Sequence, residues 1–171
     1  MQPDKEEWFP IVNEAGETLG KLTRKECHNG CKALHPVVHL HLFNSAGELY
    51  LQKRPAHKDV QPNKWDTAVG GHVDYGETIE EALLREAREE LGITGFTPVP
   101  IARYVFESAV EKELVHSFRT VYTGEVHPDP DELDGGCFWP IAKIQDHLGK
   151  GIFTPNFEVE FQYIRKDGGK E

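Results

Sequence analysis

The sequence lacks the features that would carry a chain into or across a membrane. No apolar run approaches the roughly 20 residues that a transmembrane helix requires. The N-terminus, MQPDKEEWFP, is acidic and has no apolar stretch of the kind found in secretion signals. Cysteine is scarce: Cys27, Cys31 and Cys137 are an odd number, which disfavours a disulfide framework. We therefore expect a cytoplasmic protein without a membrane partner.

Positive charge is also in short supply. Lysine and arginine together number 19 against 29 acidic residues, which gives a net charge of −10. Nucleic-acid binding depends largely on contacts of Lys and Arg with phosphate, so this balance disfavours a nucleic-acid partner. Half of the excess lies in residues 71–93, which hold seven acidic residues and two arginines. An anionic ligand would need bound metal or a local basic patch.

The length and the apolar pattern predict one mixed domain. At 171 residues the chain can bury one sizeable core, so we predict a single domain over residues 1–171. Alternating apolar residues and turn signals predict strands at 7–13, 18–22, 37–43, 48–53, 65–69, 101–107, 113–122 and 137–139. The first two form an N-terminal hairpin over about residues 6–23, residues 24–31 read as irregular, and residues 37–43 read as a half-buried strand. Two C-terminal helices, opened by Pro140 and Pro155, cover about residues 140–166. This order of elements indicates a mixed sheet packed between helices.

A central helix from Thr78 to Gly92 carries the most informative residues. Thr78 and Glu81 form a capping-box pattern, and Gly92 sits where a helix commonly ends. Successive residues turn by about 100°, so three glutamates project from one face within an arc of similar size: Glu86, Glu89 and Glu90. Three carboxylates this close repel one another unless cations lie between them. Their hard oxygen ligands suit Mg²⁺ or Mn²⁺.

The stretch around this helix resembles the Nudix box, G-x5-E-x7-R-E-U-x-E-E-x-G-U. Every specified position matches: Gly71, Glu77, Arg85, Glu86, Ala87, Glu89, Glu90, Gly92 and Ile93. The alternative is a salt-bridged surface helix, because Glu–Arg pairs are common on helices. The glycine turn and the spacing to Glu77 favour the box. The resemblance extends over roughly residues 6–165 and implies a Nudix-type α/β/α sandwich and a MutT-like hydrolase that cleaves a diphosphate compound with water and Mg²⁺ or Mn²⁺.

The resemblance also implies roles for single residues. Glu86 and Glu90 would bind metal directly, together with the carbonyl of Gly71, and Glu89 would be a further ligand or a base. Arg85 would orient those carboxylates by bidentate hydrogen bonds. Glu77 would be a structural residue or one that supports the metal ligands without touching the metal. Since the general base of many family members lies outside the box, three more candidates stay open: Glu111, Glu113 and Glu132.

Outside the box the chain resembles one branch of the superfamily, the type I isopentenyl-diphosphate isomerases and their hydrolase relatives. That resemblance implies a second metal at His28, His35, His72, Glu111 and Glu113, and diphosphate contacts by Arg24, Lys53, Arg54 and Lys58. With nine histidines in the chain, a hydrogen-bonded polar wall is the alternative for the first set. A zinc site formed by Cys27, Cys31, His28 and His35 is another. The basic residues could equally be ordinary surface residues.

Two departures from the isomerases favour hydrolysis. Gly70 stands where the isomerases have a catalytic cysteine, and glycine has no side chain to protonate an alkene. Asn156 stands where they have a tryptophan that shields the carbocation. In addition, the box glutamates, which are incomplete in the isomerases, are all present here. We therefore predict hydrolysis of a nucleoside diphosphate derivative or other small organic diphosphate. Two alternatives remain: an isopentenyl-diphosphate isomerase and a non-catalytic module that senses a nucleotide.

Substrate identity and oligomeric state, a homodimer included, stay open at this point. Specificity in such proteins lies in loops beyond the box, here 54–64, 103–113 and 150–158. Aromatic residues in or near these loops could stack on a ligand or pack in the core: Tyr104, Phe106, Phe153 and Phe157.

Overall fold

A computed structural model describes residues 6–57, 61–131 and 133–168 of the chain. Within these residues the strands are β1 (Trp8–Val12), β2 (Thr18–Thr23), β3 (Leu34–Phe43), β4 (Leu49–Lys53), β5 (Trp65–Thr67), β6 (Val69–His72), β7 (Val99–Glu107), β8 (Lys112–Val121) and β9 (Gly136–Trp139). The helices are α1 (Arg24–Cys27), α2 (Ile79–Leu91), α3 (Ile141–His147) and α4 (Pro155–Gly168). No helix in this part of the chain combines the length and apolar character that crossing a bilayer requires.

Strand β3 is the centre of a mixed sheet. It pairs with β8 in parallel along its whole length and with β6 in antiparallel, and β7 continues the sheet beyond β8. Strand β4 follows β3 through a tight hairpin and pairs with β5 and β9, both antiparallel. Strands β1 and β2 form a separate antiparallel pair. The parallel pairing places residues that are far apart in the sequence side by side.

Helices cover both faces of this sheet. Helix α2 packs on one face, where Leu83 and Leu91 join Leu40 of β3 in one buried cluster. On the other side α3 and α4 enclose a second cluster, in which Phe157 and Phe161 of α4 pack with strand residues. The predicted α/β fold with a mixed sheet between helices is therefore confirmed.

The prediction that β3 is only half buried is wrong. Val38, Leu40 and Leu42 face α2 and are fully buried, as alternation predicts. The opposite face is covered as well, since Val37 is 2% exposed and His41 is 0% exposed. Helix α4 lies over that face, and a single strand pattern carries no information about a helix more than a hundred residues away.

Two further local predictions need correction. The segment 24–31 begins with the short helix α1, whose capping box links Thr23 and Glu26 through both side chains and both backbone N–H groups. The strand predicted at 65–69 is two strands, β5 and β6, which meet at Ala68. The chain passes there from the β4 side of the sheet to β3, so one continuous strand cannot satisfy both partners.

The cap of α2 confirms the predicted start of the helix. Thr78 Oγ1 accepts a hydrogen bond from the backbone N–H of Glu81 at 3.1 Å, and the Glu81 carboxylate accepts one from Thr78 at 3.1 Å. At the other end Gly92 has a φ of +64°, the left-handed conformation that glycine adopts without strain.

We expect Thr78→Ala to lower the free energy of unfolding by about 1 kcal/mol, because the backbone N–H of Glu81 loses its hydroxyl acceptor. Urea unfolding monitored by circular dichroism would measure the change. Thr78→Ser keeps the hydroxyl and is the matched control. An equal loss in both variants would show that the threonine methyl group, and not the cap, stabilises this end.

Candidate functional site

The glycines predicted to form a turn before α2 lie instead on strand β6, which approaches the helix so closely that only glycine fits between them. Strand β6 carries Gly71 past the side chain of Glu86, and a Cβ atom built at Gly71 would lie 2.2 Å from Glu86 Cδ. Such a distance is far below any real contact. Because Gly71 has no side chain, the Glu86 carboxylate can lie against the backbone of β6.

Glu90, one helical turn after Glu86, lies against the same strand. Its Oε2 accepts a hydrogen bond from the backbone N–H of Gly70 at 3.1 Å. Burial and the nearby charge of Glu86 raise the pKa of Glu90 well above its usual range. Burial also raises the pKa of Glu86, although Arg85 opposes that shift. Two partly buried carboxylates that resist ionisation together are the donor set that a hard divalent cation would stabilise.

Arg85 holds this arrangement in place. Its Nε and one terminal nitrogen donate to the two oxygens of Glu77 at 2.8 and 3.0 Å, and the other terminal nitrogen donates to Glu86 Oε1 at 2.7 Å. A further bond reaches the carbonyl of His72 at 3.1 Å. Arg85 thus connects the end of β6 to helix α2. Glu89 is more exposed, at 54%, and lies 3.4 Å from Arg85.

The box faces an open cleft of about 1180 Å³. Its lining includes Gly71, Arg85 and all three box glutamates on one side, and continues to His72, Glu111 and Glu113. This volume would accommodate a small organic or nucleotide-sized ligand. The predicted metal-binding residues of the box therefore share one cavity with part of the predicted histidine site.

Four of the five residues predicted for a second metal come together. One ligand atom from each lies within 4.8 Å of the others: His28, His35, His72 and Glu111. The parallel pairing of β3 with β8 brings Glu111, which directly precedes β8, beside His35. Nδ1 of His35 donates to the carbonyl of Ala33 at 2.9 Å, which leaves Nε2 facing the cluster. Phe9 stacks on the His72 ring with centroids 4.5 Å apart.

The electrostatics favour the neutral imidazole at His28 and His72, whereas at His35 the hydrogen bonds with Glu111 and Ala33 outweigh burial and raise the pKa. Burial, with help from His35, lowers the pKa of His72 to about 3, and burial also lowers the pKa of His28. Burial tends to raise the pKa of Glu111, but its hydrogen bond with His35 and the other imidazoles hold it below its usual value. The ligand atoms lie close to one another, since Glu111 Oε2 is 2.7 Å from His28 Nε2 and 3.4 Å from His35 Nε2. Imidazole nitrogens and a carboxylate oxygen that converge in this way fit a bound cation.

Glu113 and the two cysteines stay outside this group of four. Glu113 lines the cleft, and burial together with the charge of Glu111 raises its pKa to about 7. Cys27 is buried, while the Cys31 thiol donates to the carbonyl of Glu26 at 3.0 Å. The alternative of a zinc site that includes both cysteines is therefore not favoured by the described geometry.

The predicted basic residues divide into two groups. Arg24 and Arg54 line the cleft. Lys53 does not, because the alternation of β4 turns it to the other side, where its Nζ lies 6.0 Å from the centre of the Trp65 ring. Lys58 lies outside the described residues, as does Glu132, one of the candidate bases.

None of the four aromatic residues considered for stacking lines the cleft in the described part of the chain. Phe153 and Phe157 are 1% and 0% exposed in the core beneath α4. Tyr104 stacks on Tyr163 with centroids 4.5 Å apart. Sequence reasoning instead missed His39, which lines the cleft and contacts Glu160 of α4. No local spacing could have revealed that pair.

Comparisons with known proteins agree with this geometry. The family described as "NUDIX domain" matches residues 33–157. An uncharacterized Nudix hydrolase of Listeria innocua is 44% identical over 158 residues, covering 89% of this chain and 90% of that protein. An isopentenyl-diphosphate Delta-isomerase of Mycolicibacterium vanbaalenii is 33% identical over 139 residues, covering 77% of this chain and 76% of the isomerase. Among solved structures, DR0079 of Deinococcus radiodurans has a TM-score of 0.74 at 27% identity, covering 86% of this chain and 92% of that one.

Nudix proteins are defined by a helix that carries the box glutamates and packs against a glycine-containing segment, within a sandwich of this topology. The chain belongs to the Nudix family. The sequence-based prediction of a Nudix hydrolase is confirmed, as is the resemblance to the isomerase branch.

We expect Gly71→Ala to weaken Mn²⁺ binding at least about tenfold, because the new methyl group would displace the Glu86 carboxylate. Electron paramagnetic resonance of free Mn²⁺ would measure the affinity. Gly20→Ala is the control, since a Cβ there meets nothing within 4 Å and Gly20 lies on β2, away from the cleft. Unchanged binding in Gly71→Ala, measured in a His28→Asn background that disables the histidine cluster, would show that Glu86 is not a metal ligand.

Proposed function

We propose that this Nudix hydrolase uses Mg²⁺ or Mn²⁺ to split the diphosphate linkage of a nucleoside diphosphate derivative or another small organic diphosphate. One observation carries the proposal: Glu86 and Glu90 converge on Gly70 and Gly71 of β6 at the wall of an open cleft. These oxygens and the Gly71 carbonyl form a hard donor set. The free thiols of the three cysteines fit a cytoplasmic location.

A divalent cation, when bound, neutralises phosphate oxygens and acidifies a water molecule. The residues supply the rest. Glu86 and Glu90 would hold the cation, while Arg85 keeps Glu86 in place through Glu77 and the His72 carbonyl. Arg24 and Arg54 lie on the cleft wall, where their charge would attract the anionic substrate.

Three described carboxylates remain candidates for the base that accepts a proton from water. Glu89 is exposed and adjacent to the box, and Glu111 belongs to the histidine cluster. Glu113 has the best-matched acidity, since its pKa of about 7 lies near physiological pH and it lines the cleft. We therefore favour Glu113 among the residues outside the box.

Hydrolysis is favoured over isomerisation by the residue at position 70. The backbone N–H of Gly70 supports Glu90, and glycine offers no acid that could protonate a double bond. Incubation with isopentenyl diphosphate, followed by proton NMR, separates the alternatives because isomerisation releases no phosphate. Tight nucleotide binding without turnover under either metal would instead support a sensing module. A panel of dinucleotide polyphosphates, nucleotide sugars, coenzyme A, nucleoside triphosphates and prenyl diphosphates would identify the substrate class.

We expect Glu86→Gln and Glu90→Gln each to reduce turnover at least about a hundredfold while leaving the fold intact, as the loss of a metal ligand would. Phosphate release with Mg²⁺ or Mn²⁺ would be measured on the best substrate of the panel. Glu80→Gln, on the exposed first turn of α2, removes the same charge outside the cleft and should change the rate less than about twofold. Retained activity in both box variants would refute the metal-site assignment.

We also propose that the histidine cluster binds a second divalent cation through His28, His35, His72 and Glu111, with Glu113 beside it. The four converging ligand atoms and the depressed pKa of His72 support this assignment. Imidazole ligands suit transition metals such as Mn²⁺ or Zn²⁺ better than Mg²⁺.

Removing one imidazole should remove this metal without touching the box. We expect His28→Asn to lose about one equivalent of tightly held metal per chain, measured by mass spectrometry of the metal content after purification. His127→Asn alters a histidine whose side chain is 67% exposed and should retain the metal. Equal metal content in the two variants would favour the hydrogen-bonded polar wall.

A further inference from the structure

His39 and Glu160 form a buried pair that has no part in the proposed metal chemistry. Nδ1 of His39 contacts Oε2 of Glu160, whose side chain is 0% exposed. Nε2 of His41 lies 3.2 Å from the other oxygen, and Tyr104 lies near the same carboxylate. Helix α4 thus places a carboxylate directly behind a histidine of the central strand.

The ionised pair is neutral overall, and its positive end, the ring of His39, faces the cleft. An isolated carboxylate is costly to bury, so Glu160 requires a cationic partner. Burial disfavours the protonated ring of His39, but the charge of Glu160 outweighs burial and raises the pKa of His39 to about 9. Glu113 and Asp66 act in the same direction. Burial likewise disfavours ionised Glu160, yet His39 and His41 hold its pKa far below the usual value.

The second nitrogen of His39 points toward the box. His39 pairs with Gly70 across β3 and β6, and its Nε2 lies 3.7 Å from the position of a Cβ at Gly70. Gly70 is the residue whose N–H supports Glu90. No described residue accepts a hydrogen bond from Nε2, while His39 lines the cleft with its side chain 13% exposed. The absence of a side chain at Gly70 leaves this edge of the ring accessible beside the proposed metal site.

We propose that His39 donates a hydrogen bond from Nε2–H to an anionic phosphoryl oxygen of the bound substrate, and that Glu160 fixes the orientation and charge of the ring. The inference rests on the proposed function, because it assumes a diphosphate in this cleft. His39 would then be a substrate-binding residue and Glu160 a positioning residue. The competing explanation is that the ion pair only attaches α4 to the sheet.

Methylenediphosphonate, a diphosphate analogue that resists hydrolysis, tests binding apart from turnover. With Mg²⁺ present, calorimetry should show affinity at least about tenfold weaker in His39→Asn, as expected for the loss of a charge-assisted hydrogen bond. Glu160→Gln should also weaken binding and shift the ¹⁵N resonances of His39 toward a neutral ring. His116→Asn removes a partly buried histidine of β8 that does not line the cleft and should bind within about twofold of the unmodified protein.

In the unmodified protein, the analogue should shift the ¹⁵N resonance of His39 Nε2, which gives a readout even if His39→Asn fails to fold. An unchanged Nε2 resonance, or equal affinity in folded His39→Asn and His116→Asn, would overturn the inference and leave the pair as a tether for α4. Failure of the proposed function has a different signature. In that case no diphosphate of the panel would be hydrolysed, whatever the analogue does at His39.

Discussion

The site depends on one constraint, the repulsion between the carboxylates of Glu86 and Glu90, which lie against the glycines of β6. Each carboxylate would move into solvent if β6 and α2 allowed it. Arg85 prevents this by joining Glu86 to Glu77 and to the backbone carbonyl of His72. The close approach in turn requires glycine at position 71, where any Cβ would overlap Glu86. The glycine, the arginine and the acidic residues of the box are therefore parts of one arrangement.

The sheet explains why a second group of polar residues faces the same cleft. Strand β3 lies between β6 and β8, so its residues contact both the glycines of β6 and the segment that carries Glu111. The parallel pairing with β8 joins positions about 78 residues apart, as in the register of His35 with Glu113. One strand thus connects the box, the histidine cluster and the pair formed with Glu160.

What the sequence could predict follows the distance between interacting residues. The cap at Thr78, the end at Gly92 and the alignment of Glu86 with Glu90 depend on local spacing, and all were predictable. Lys53 was expected to contact diphosphate from the resemblance to the isomerases, although strand alternation turns it toward Trp65. Glu160 lies 121 residues from His39 on an amphipathic helix, so only the folded structure reveals that the two are in contact.

The two donor sets in the cleft differ in chemistry, and the fold maintains that difference. At the box, carboxylates with raised pKa values lie beside the glycines of β6, where they would offer oxygen ligands to the proposed hard cation. At the cluster, burial keeps His72 neutral, and stacking on Phe9 fixes its ring. A cation that favours nitrogen ligands would find few at the box, while Mg²⁺ would find a single carboxylate among the imidazoles. Because β6 carries both Gly71 and His72, the two environments meet on adjacent residues, and a diphosphate that bridges them would contact both.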